Sequence, residues 1–178
     1  MSAVSVREIY RGRVVHLVVE SFTMPDGRPV TLELVRHPGA AAVVPLTADG
    51  EVLLIRQYRH AAGGFIYEVP AGKLDGGESP DRCAARELVE EAGVRAGSLE
   101  PLGSILTTPG FTDEVIHLFL ARDLQPAEQR LDADELLSVE KIPFARALDL
   151  CVRGELRDAK SICALMLADR RLRGTPPV

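Results

Sequence analysis

The chain contains no tryptophan, only 4% of its residues are aromatic, and it has three cysteines. The cysteines are Cys83, Cys151 and Cys163, an odd number in which no two form a CxxC pair. A disulfide framework needs an even set of cysteines, and a zinc knuckle needs closely spaced ones. Neither kind of site is indicated, and all three cysteines are expected to pack as small residues on or near helices.

Long apolar runs and clusters of basic residues are also missing. No stretch approaches 18 apolar residues, and the first residues carry charges where a signal peptide needs an apolar run. We therefore expect a soluble, cytoplasmic protein with no membrane partner. The net charge is −5 and the lysines and arginines are scattered. This argues against a nucleic-acid partner, because nucleic-acid grooves depend on clustered positive charge.

With 178 residues, 46% of them hydrophobic, the chain is long enough for one domain with a real core. Residues 1–38 are predicted to be an appendage. Within it, residues 14–22 and 30–35 have strand patterns on either side of a Pro-Asp-Gly turn, which predicts a β-hairpin. Such a hairpin is not stable alone in water and needs either the main domain or a second subunit.

Residues 39–178 are predicted to form the main domain. Strands are expected at 40–46, 52–58, 65–69, 99–106, 115–121 and 135–142, and helices at 145–153 and 158–173. The last helix is predicted to place Ile162, Leu165 and Met166 on one face. Together with the acidic helix described next, the pattern predicts an α/β fold, a mixed sheet covered on both faces.

The densest chemistry in the chain lies at residues 72–94, GKLDGGESPDRCAARELVEEAGV. Ser-Pro-Asp at 79–81 supplies an N-cap, a proline at the first helical position and an acid in the first turn, and Gly93 is a C-terminal stop. These signals predict a helix between them. The apolar residues expected to pack on the sheet are Ala85, Leu88 and Ala92.

The glutamates of this helix recur at helical spacing. Glu87 lies four residues before Glu91 and three before Glu90, so these carboxylates crowd one face. Like charges at those separations destabilise a bare helix. A hard divalent cation such as Mg²⁺ or Mn²⁺ would remove the conflict. The alternative is a solvated acidic face, which most charge runs are, but the fixed offsets of Glu78 and Arg86 favour a metal site.

Written as spacings, residues 72–94 read G-x5-E-x7-R-E-L-x-E-E-x-G-V. This pattern resembles the Nudix box, the signature of the Nudix hydrolases, at every position. RQYR at 56–59, EVPAG at 68–72 and TTPGFTDE at 107–114 are similar to the ADP-ribose pyrophosphatase branch of that family, in which a proline follows the box by sixteen residues, as Pro109 does here. The resemblance implies the Nudix fold, an α/β/α sandwich.

The same resemblance implies an activity. It is hydrolysis of the pyrophosphate bond of ADP-ribose or a related nucleoside diphosphate sugar, giving AMP and ribose 5-phosphate. The reaction would depend on Mg²⁺, with Mn²⁺ as the alternative cation. Relatives exchange N-terminal strands in homodimers, so a homodimer is also implied, with exchange of the N-terminal hairpin left open. In this interpretation residues 1–38 supply the exchanged strands.

Roles follow residue by residue from the resemblance. The metal ligands would be the carbonyl of Ala71 with Glu87 and Glu91, and Glu90 would contribute directly or through water. Arg86 would orient the glutamates. Substrate contacts would come from Arg56, Arg59, Glu68, Pro109 and Phe111. An exposed strand end without a ligand is the alternative for the two arginines, because arginine is common at surfaces.

The general base is expected in the acidic stretch LDADELL. Asp132, Asp134 and Glu135 are candidates, and Glu135 fits best. The alternative is that this stretch is only a solvated loop.

Three other functions are alternatives. One is a Nudix diphosphatase for another nucleotide or dinucleotide, because the box sets the reaction and the flanking loops set the substrate. A second is a non-catalytic ADP-ribose sensor, against which stands the complete set of box glutamates. The third is an RNA-binding or decapping module, which the absence of a basic patch disfavours.

Overall fold

The computed structural model describes residues 5–131 and 135–174. The strands are β1 Ser5–Arg11, β2 His16–Thr23, β3 Pro29–Arg36, β4 Ala40–Pro45, β5 Glu51–Arg59, β6 Gly64–Glu68, β7 Ala71–Lys73, β8 Val94–Arg95, β9 Ser98–Leu106, β10 Val115–Arg122, β11 Gln125–Pro126 and β12 Leu137–Pro143. The helices are α1 Pro80–Ala92, α2 Phe144–Val152 and α3 Ala159–Leu172, with a short 3-10 helix at His60–Ala62.

The central sheet has the strand order β7-β4-β10-β9. Its two middle strands, β4 and β10, run parallel, whereas β7 and β9 pair antiparallel at the edges. The sheet is therefore mixed, as the sequence pattern predicts. A second, antiparallel sheet has the order β12-β5-β6.

Alternate residues of the buried strands divide the core into two layers. On β4, Ala42 and Val44 face a cluster that includes Leu165 of α3, whereas Ala41 and Val43 face a cluster that includes Leu88 of α1. Successive strand residues point to opposite faces of a sheet. A strand buried on both faces must therefore be apolar throughout, and every residue of β4 is buried. The predicted α/β/α sandwich is confirmed.

Helix α1 begins and ends where the sequence signals predict. Ser79 is extended, Pro80 is the first helical residue, and Gly93 adopts a left-handed φ of 65° while its N–H bonds to the last turn. The buried stripe is Cys83, Ala84, Glu87, Leu88, Glu91 and Ala92. The prediction that Ala85 packs on the sheet is wrong, because Ala85 lies just past the edge of this stripe and is exposed. Two glutamates therefore share the buried side of the helix.

Helix α3 packs with a stripe different from the predicted one. Its buried residues are Ser161, Ala164, Leu165 and Ala168. These positions follow the i, i+3, i+4, i+7 pattern of one helix face. Met166 is 40% exposed, so its predicted place on the packed face is wrong. The Asp158 side chain caps the helix by accepting the Ser161 N–H.

The N-terminal residues form a separate sheet of order β1-β2-β3. The hairpin of β2 and β3 was predicted, but β1 was not, because its sequence SVREIYR mixes charged and apolar residues without a turn signal. All seven residues of β1 are exposed. The sheet meets the rest of the protomer at the loop after β9, where the Val35 N–H donates to the Phe111 carbonyl at 2.8 Å and Arg36 pairs with Asp113 at 2.7 Å.

Across the described ranges, no helix combines the length and the apolar character needed to cross a bilayer.

Candidate active site

A cleft of about 680 Å³ opens beside α1. Its walls come from α1, β7, the end of β5, the start of α3, and the connections that follow β1, β9 and β11. Its charged lining residues are Arg13, Arg59, Lys73, Arg86, Glu87, Glu90, Glu91, Glu114, Arg130, Glu135, Asp158 and Lys160. Seven of the predicted site residues line the cleft: Arg59, Ala71, Arg86, Glu87, Glu90, Glu91 and Glu135.

Glu91 is the most deeply buried carboxylate that lines the cleft, with 2% of the residue exposed. The backbone N–H of Ala71 donates to its Oε2 at 2.8 Å. Burial raises the pKa of Glu91 to about 8, and the charges of Glu87, Glu135 and Glu68 act in the same direction, against the Ala71 N–H. A carboxyl in this environment pays a free-energy cost for ionising, which a nearby cation would offset.

Glu87 lies one turn earlier and fits against Gly72. A Cβ atom at position 72 would be 1.8 Å from the Glu87 Oε1, so only glycine leaves room for this carboxylate. The Cys83 thiol reaches the carbonyls of Gly72 and Lys73 at 3.4 Å, which fixes the backbone of this turn. Burial raises the pKa of Glu87, with Arg86 opposing and Glu90 contributing.

Arg86 holds the acidic cluster together. Its Nε and Nη2 bind the Glu78 carboxylate at 3.0 Å each, and its Nη1 donates to Glu87 at 2.7 Å and to Glu90 at 2.8 Å. The hydrogen bonds that Arg86 donates to Glu78 are the largest cause of a pKa for Arg86 well above its ordinary value. The predicted orienting role of Arg86 thus has a direct geometric basis, since one planar guanidinium contacts three carboxylates.

The sequence predicts a divalent cation, which needs oxygen ligands such as carboxylates. Among residues 5–131 and 135–174, no three Asp, Glu, His or Cys side chains are grouped closely enough to hold an ion by themselves. Mg²⁺, however, is usually bound by one or two carboxylates and completes its shell with water and phosphate oxygens. Two carboxylates of raised pKa, Glu87 and Glu91, line the cleft beside Ala71, so the residues fit such an ion.

The loop after β11 is anchored to the C-terminal end of α1. The Ala127 N–H donates to the Gly93 carbonyl at 2.8 Å, and the Arg130 N–H donates to the Glu90 carbonyl at 3.0 Å. These bonds satisfy carbonyls that a helix end leaves open. Glu135, further along the chain, lines the cleft and acts electrostatically on both Glu87 and Glu91. The alternative bases Asp132 and Asp134 lie outside the described residues.

Arg59 and Arg56 lie in different surroundings, and only Arg59 of the two lines the cleft. Arg59 lines the cleft, and Glu68, predicted to bind substrate, is 1% exposed and holds Arg59 through two hydrogen bonds. Arg56 does not line the cleft, and its guanidinium lies 5.2 Å from the centre of the Phe65 ring. A cation over an aromatic face is a stabilising surface contact.

Pro109 and Phe111 also lie away from the cleft lining, in the loop beside the N-terminal sheet, and Phe111 is 54% exposed. Substrate roles for Arg56, Glu68, Pro109 and Phe111 stay predictions. The cleft in turn contains cations that sequence reasoning did not single out: Arg13, Lys73, Arg130 and Lys160.

Comparison with known proteins agrees with this geometry. The NUDIX domain family matches residues 35–165. The chain is 40% identical over 160 residues to the ADP-ribose pyrophosphatase of Bacillus subtilis (strain 168), covering 89% of this chain and 86% of that one. It is 34% identical over 178 residues to the GDP-mannose pyrophosphatase of Cronobacter sakazakii, covering 90% and 89%. A solved structure described as an ADP compounds hydrolase superposes with a TM-score of 0.83 at 26% identity over 99% of this chain and 97% of that one.

The chain therefore belongs to the NUDIX family, and Glu87 and Glu91 of the box lie on the buried side of α1 and line the cleft. Within that family it is a pyrophosphatase-type hydrolase.

Proposed function

We propose that this protein hydrolyses the pyrophosphate bond of ADP-ribose, or of a related nucleoside diphosphate sugar, in the presence of Mg²⁺, giving AMP and ribose 5-phosphate. The observation that carries the proposal is the pair of buried carboxylates, Glu87 and Glu91, which line a cleft whose other walls supply cations. Relatives named for ADP-ribose and GDP-mannose support the substrate class.

Each residue has a distinct part in the proposed reaction. Glu87, Glu91 and the carbonyl of Ala71 would hold the cation, which would neutralise the diphosphate and lower the pKa of a bound water. Arg86 keeps the Glu87 carboxylate in place. Arg59 donates hydrogen bonds to phosphate oxygens, because the geometry of a guanidinium matches that of a phosphate.

Glu135 acts as the general base that takes the proton of the attacking water. No covalent intermediate is needed. Cys83, a nucleophile by residue type, is buried, and burial raises the pKa of its thiol to about 12, so it stays protonated at neutral pH.

The substrate is tested by a turnover screen. Purified protein is expected to release AMP from ADP-ribose with Mg²⁺ or Mn²⁺, and chelation with EDTA is expected to stop the reaction. GDP-mannose and dinucleoside polyphosphates are run beside it as the alternative substrates. A higher kcat/KM for one of them would move the assignment to that substrate. Ligand-dependent melting without any turnover would contradict the hydrolase and favour a sensor.

We also infer that the functional unit is a homodimer. Six large apolar residues of the N-terminal sheet and its connection are exposed in the protomer: Val6, Ile9, Tyr10, Val14, Val15 and Leu32. Apolar surface of this kind is typical of a subunit interface. Light scattering coupled to size exclusion is expected to give twice the chain mass of 19.3 kDa. A single-chain mass at micromolar concentration would contradict the dimer.

A further inference from the structure

Glu68 is a buried carboxylate shared by two cations that come from different elements. It ends β6, and its side chain is only 2% exposed. Arg59, from the end of β5, donates through Nε to Glu68 Oε1 at 2.6 Å and through Nη2 to Oε2 at 3.0 Å. Lys160, from the first turn of α3, donates through Nζ to the same Oε2 at 2.5 Å.

Lys160 is itself held from a second side. Its Nζ donates to Asp158 Oδ2 at 3.0 Å, and the same oxygen caps α3 by accepting the Ser161 N–H at 3.0 Å. The Ser161 hydroxyl in turn accepts the backbone N–H of Val69 at 2.8 Å, next to Glu68 in sequence. The start of α3 is thus tied to the end of β6 by both backbone and side-chain bonds.

The charges in this network depend on one another. Burial opposes ionisation of Glu68, but the hydrogen bonds and charges of Arg59 and Lys160 outweigh it and hold the pKa of Glu68 below its ordinary value. Lys160 is 15% exposed and Arg59 is 42% exposed, so Lys160 is the more shielded of the two partners. A buried carboxylate with one partner removed keeps an uncompensated part of its desolvation cost.

Arg59 has donors left for a ligand. A guanidinium carries five N–H groups, and two of them bind Glu68. Both Arg59 and Lys160 line the cleft, whereas Glu68 does not. Substrate can therefore reach Arg59 while Glu68 stays beneath it, out of contact.

We propose that Glu68 and Lys160 are positioning residues, which act through Arg59 by fixing the direction of its guanidinium at the cleft wall. The inference rests on the proposed function for what Arg59 then binds, the pyrophosphate of the substrate. It differs from a direct substrate contact by Glu68, and it assigns a role to Lys160, which no sequence motif singled out. Without Lys160, the Glu68 carboxylate loses one of the two cations that hold its orientation, and the Arg59 guanidinium that binds it is no longer fixed in one direction.

A double-mutant cycle tests whether Lys160 acts through Arg59. Lys160→Met is expected to raise KM for ADP-ribose by about tenfold, the effect of weakening one charge-assisted hydrogen bond, with kcat within about threefold of wild type. Lys160→Arg should restore KM. In an Arg59→Ala background, Lys160→Met should have no further effect on KM. The matched control is Lys141→Met, which removes a surface pair with Glu51 at 2.6 Å and should leave KM unchanged.

Additive effects of the two substitutions on KM would overturn the proposal, because Lys160 would then act independently of Arg59. A loss of kcat and Tm without a KM change would overturn it as well, in favour of a purely structural role.

A second measurement needs no substrate. NMR exchange of the Arg59 Nε–H is expected to be slow in wild type, at least about tenfold faster in Lys160→Met and slow again in Lys160→Arg. Equal exchange in all three proteins would overturn the positioning role. Wild-type protein that protects this N–H but does not hydrolyse ADP-ribose would contradict the proposed function and leave the positioning role supported.

Discussion

Glu91→Gln is expected to abolish turnover and, in the metal-free protein, to raise stability at neutral and alkaline pH. The buried charge of Glu91 is needed for activity, but it destabilises the folded protein when no cation is bound. Removing this charge should therefore lower activity and raise stability. Glu91 is 2% exposed and would hold the cation, so its charge is needed for activity. Replacing a residue that only hydrogen-bonds to a metal ligand typically lowers metal affinity or activity by about 10–100-fold. Replacing a direct ligand should therefore lower activity by at least about 100-fold.

The pH dependence follows from the direction of the pKa shift. Burial raises the pKa of Glu91 from 4.5 to about 8 on folding. A carboxyl whose pKa is raised in the folded state contributes stability that is fully present below pH 4.5 and is lost as the pH rises through 8. Wild-type protein without metal should therefore lose stability over this window, whereas Glu91→Gln should not share that loss.

The size of this effect is measurable. Each pKa unit corresponds to about 1.4 kcal/mol, so the variant should gain on the order of 2–4 kcal/mol over wild type by about pH 9. This corresponds to a Tm higher by roughly 5 °C or more for a chain of this size. Glu155→Gln, which changes an exposed glutamate in the turn after α2, is the control and should change neither Tm nor turnover. A Glu91→Gln protein with a lower Tm at pH 9 would contradict the assigned burial cost.

Gly72→Ala is expected to fold normally and to lose about 100-fold in kcat. The new Cβ would lie 1.8 Å from Glu87 Oε1 and 2.2 Å from its carboxyl carbon, so one of them must move. The contacted atoms are the far end of a flexible side chain rather than backbone, so the Glu87 carboxylate swings away while the fold persists. A displacement of about 1 Å at a catalytic group can cost about 100-fold.

The connection between β7 and α1 offers a matched control for this substitution. A Cβ on Gly76 would meet nothing within 4 Å, so Gly76→Ala should keep full activity. Circular dichroism and Tm measurements show whether both variants are folded. Equal activity of Gly72→Ala and wild type would mean that Glu87 is not needed where the structure places it.

Helix α1 could be predicted in detail because its signals are local. A proline at the first turn, a glycine at the end and glutamates three and four residues apart all act within one helix. The buried position of Glu87 and Glu91 could not be predicted in the same way. It depends on β4 and β7 packing against the helix, which no helical period reveals.

The two arginines of RQYR differ in position because of strand geometry. Arg56 and Arg59 are three residues apart on β5, and strand residues an odd number apart point to opposite faces. Arg59 lines the cleft, whereas the Arg56 guanidinium lies over the Phe65 ring. Lys160 had no such signal, because it is 92 residues away from its partner Glu68 in sequence.

Binding of Mn²⁺ measured by electron paramagnetic resonance tests the central claim most directly, that Glu87 and Glu91 form a divalent-cation site. Wild-type protein at pH 8 should bind Mn²⁺, with affinity rising from pH 6 to pH 8 as Glu91 ionises, and Glu91→Gln should bind at least about 10–100-fold more weakly. Equal Mn²⁺ affinity in the two proteins, or an affinity that does not change with pH, would contradict the account.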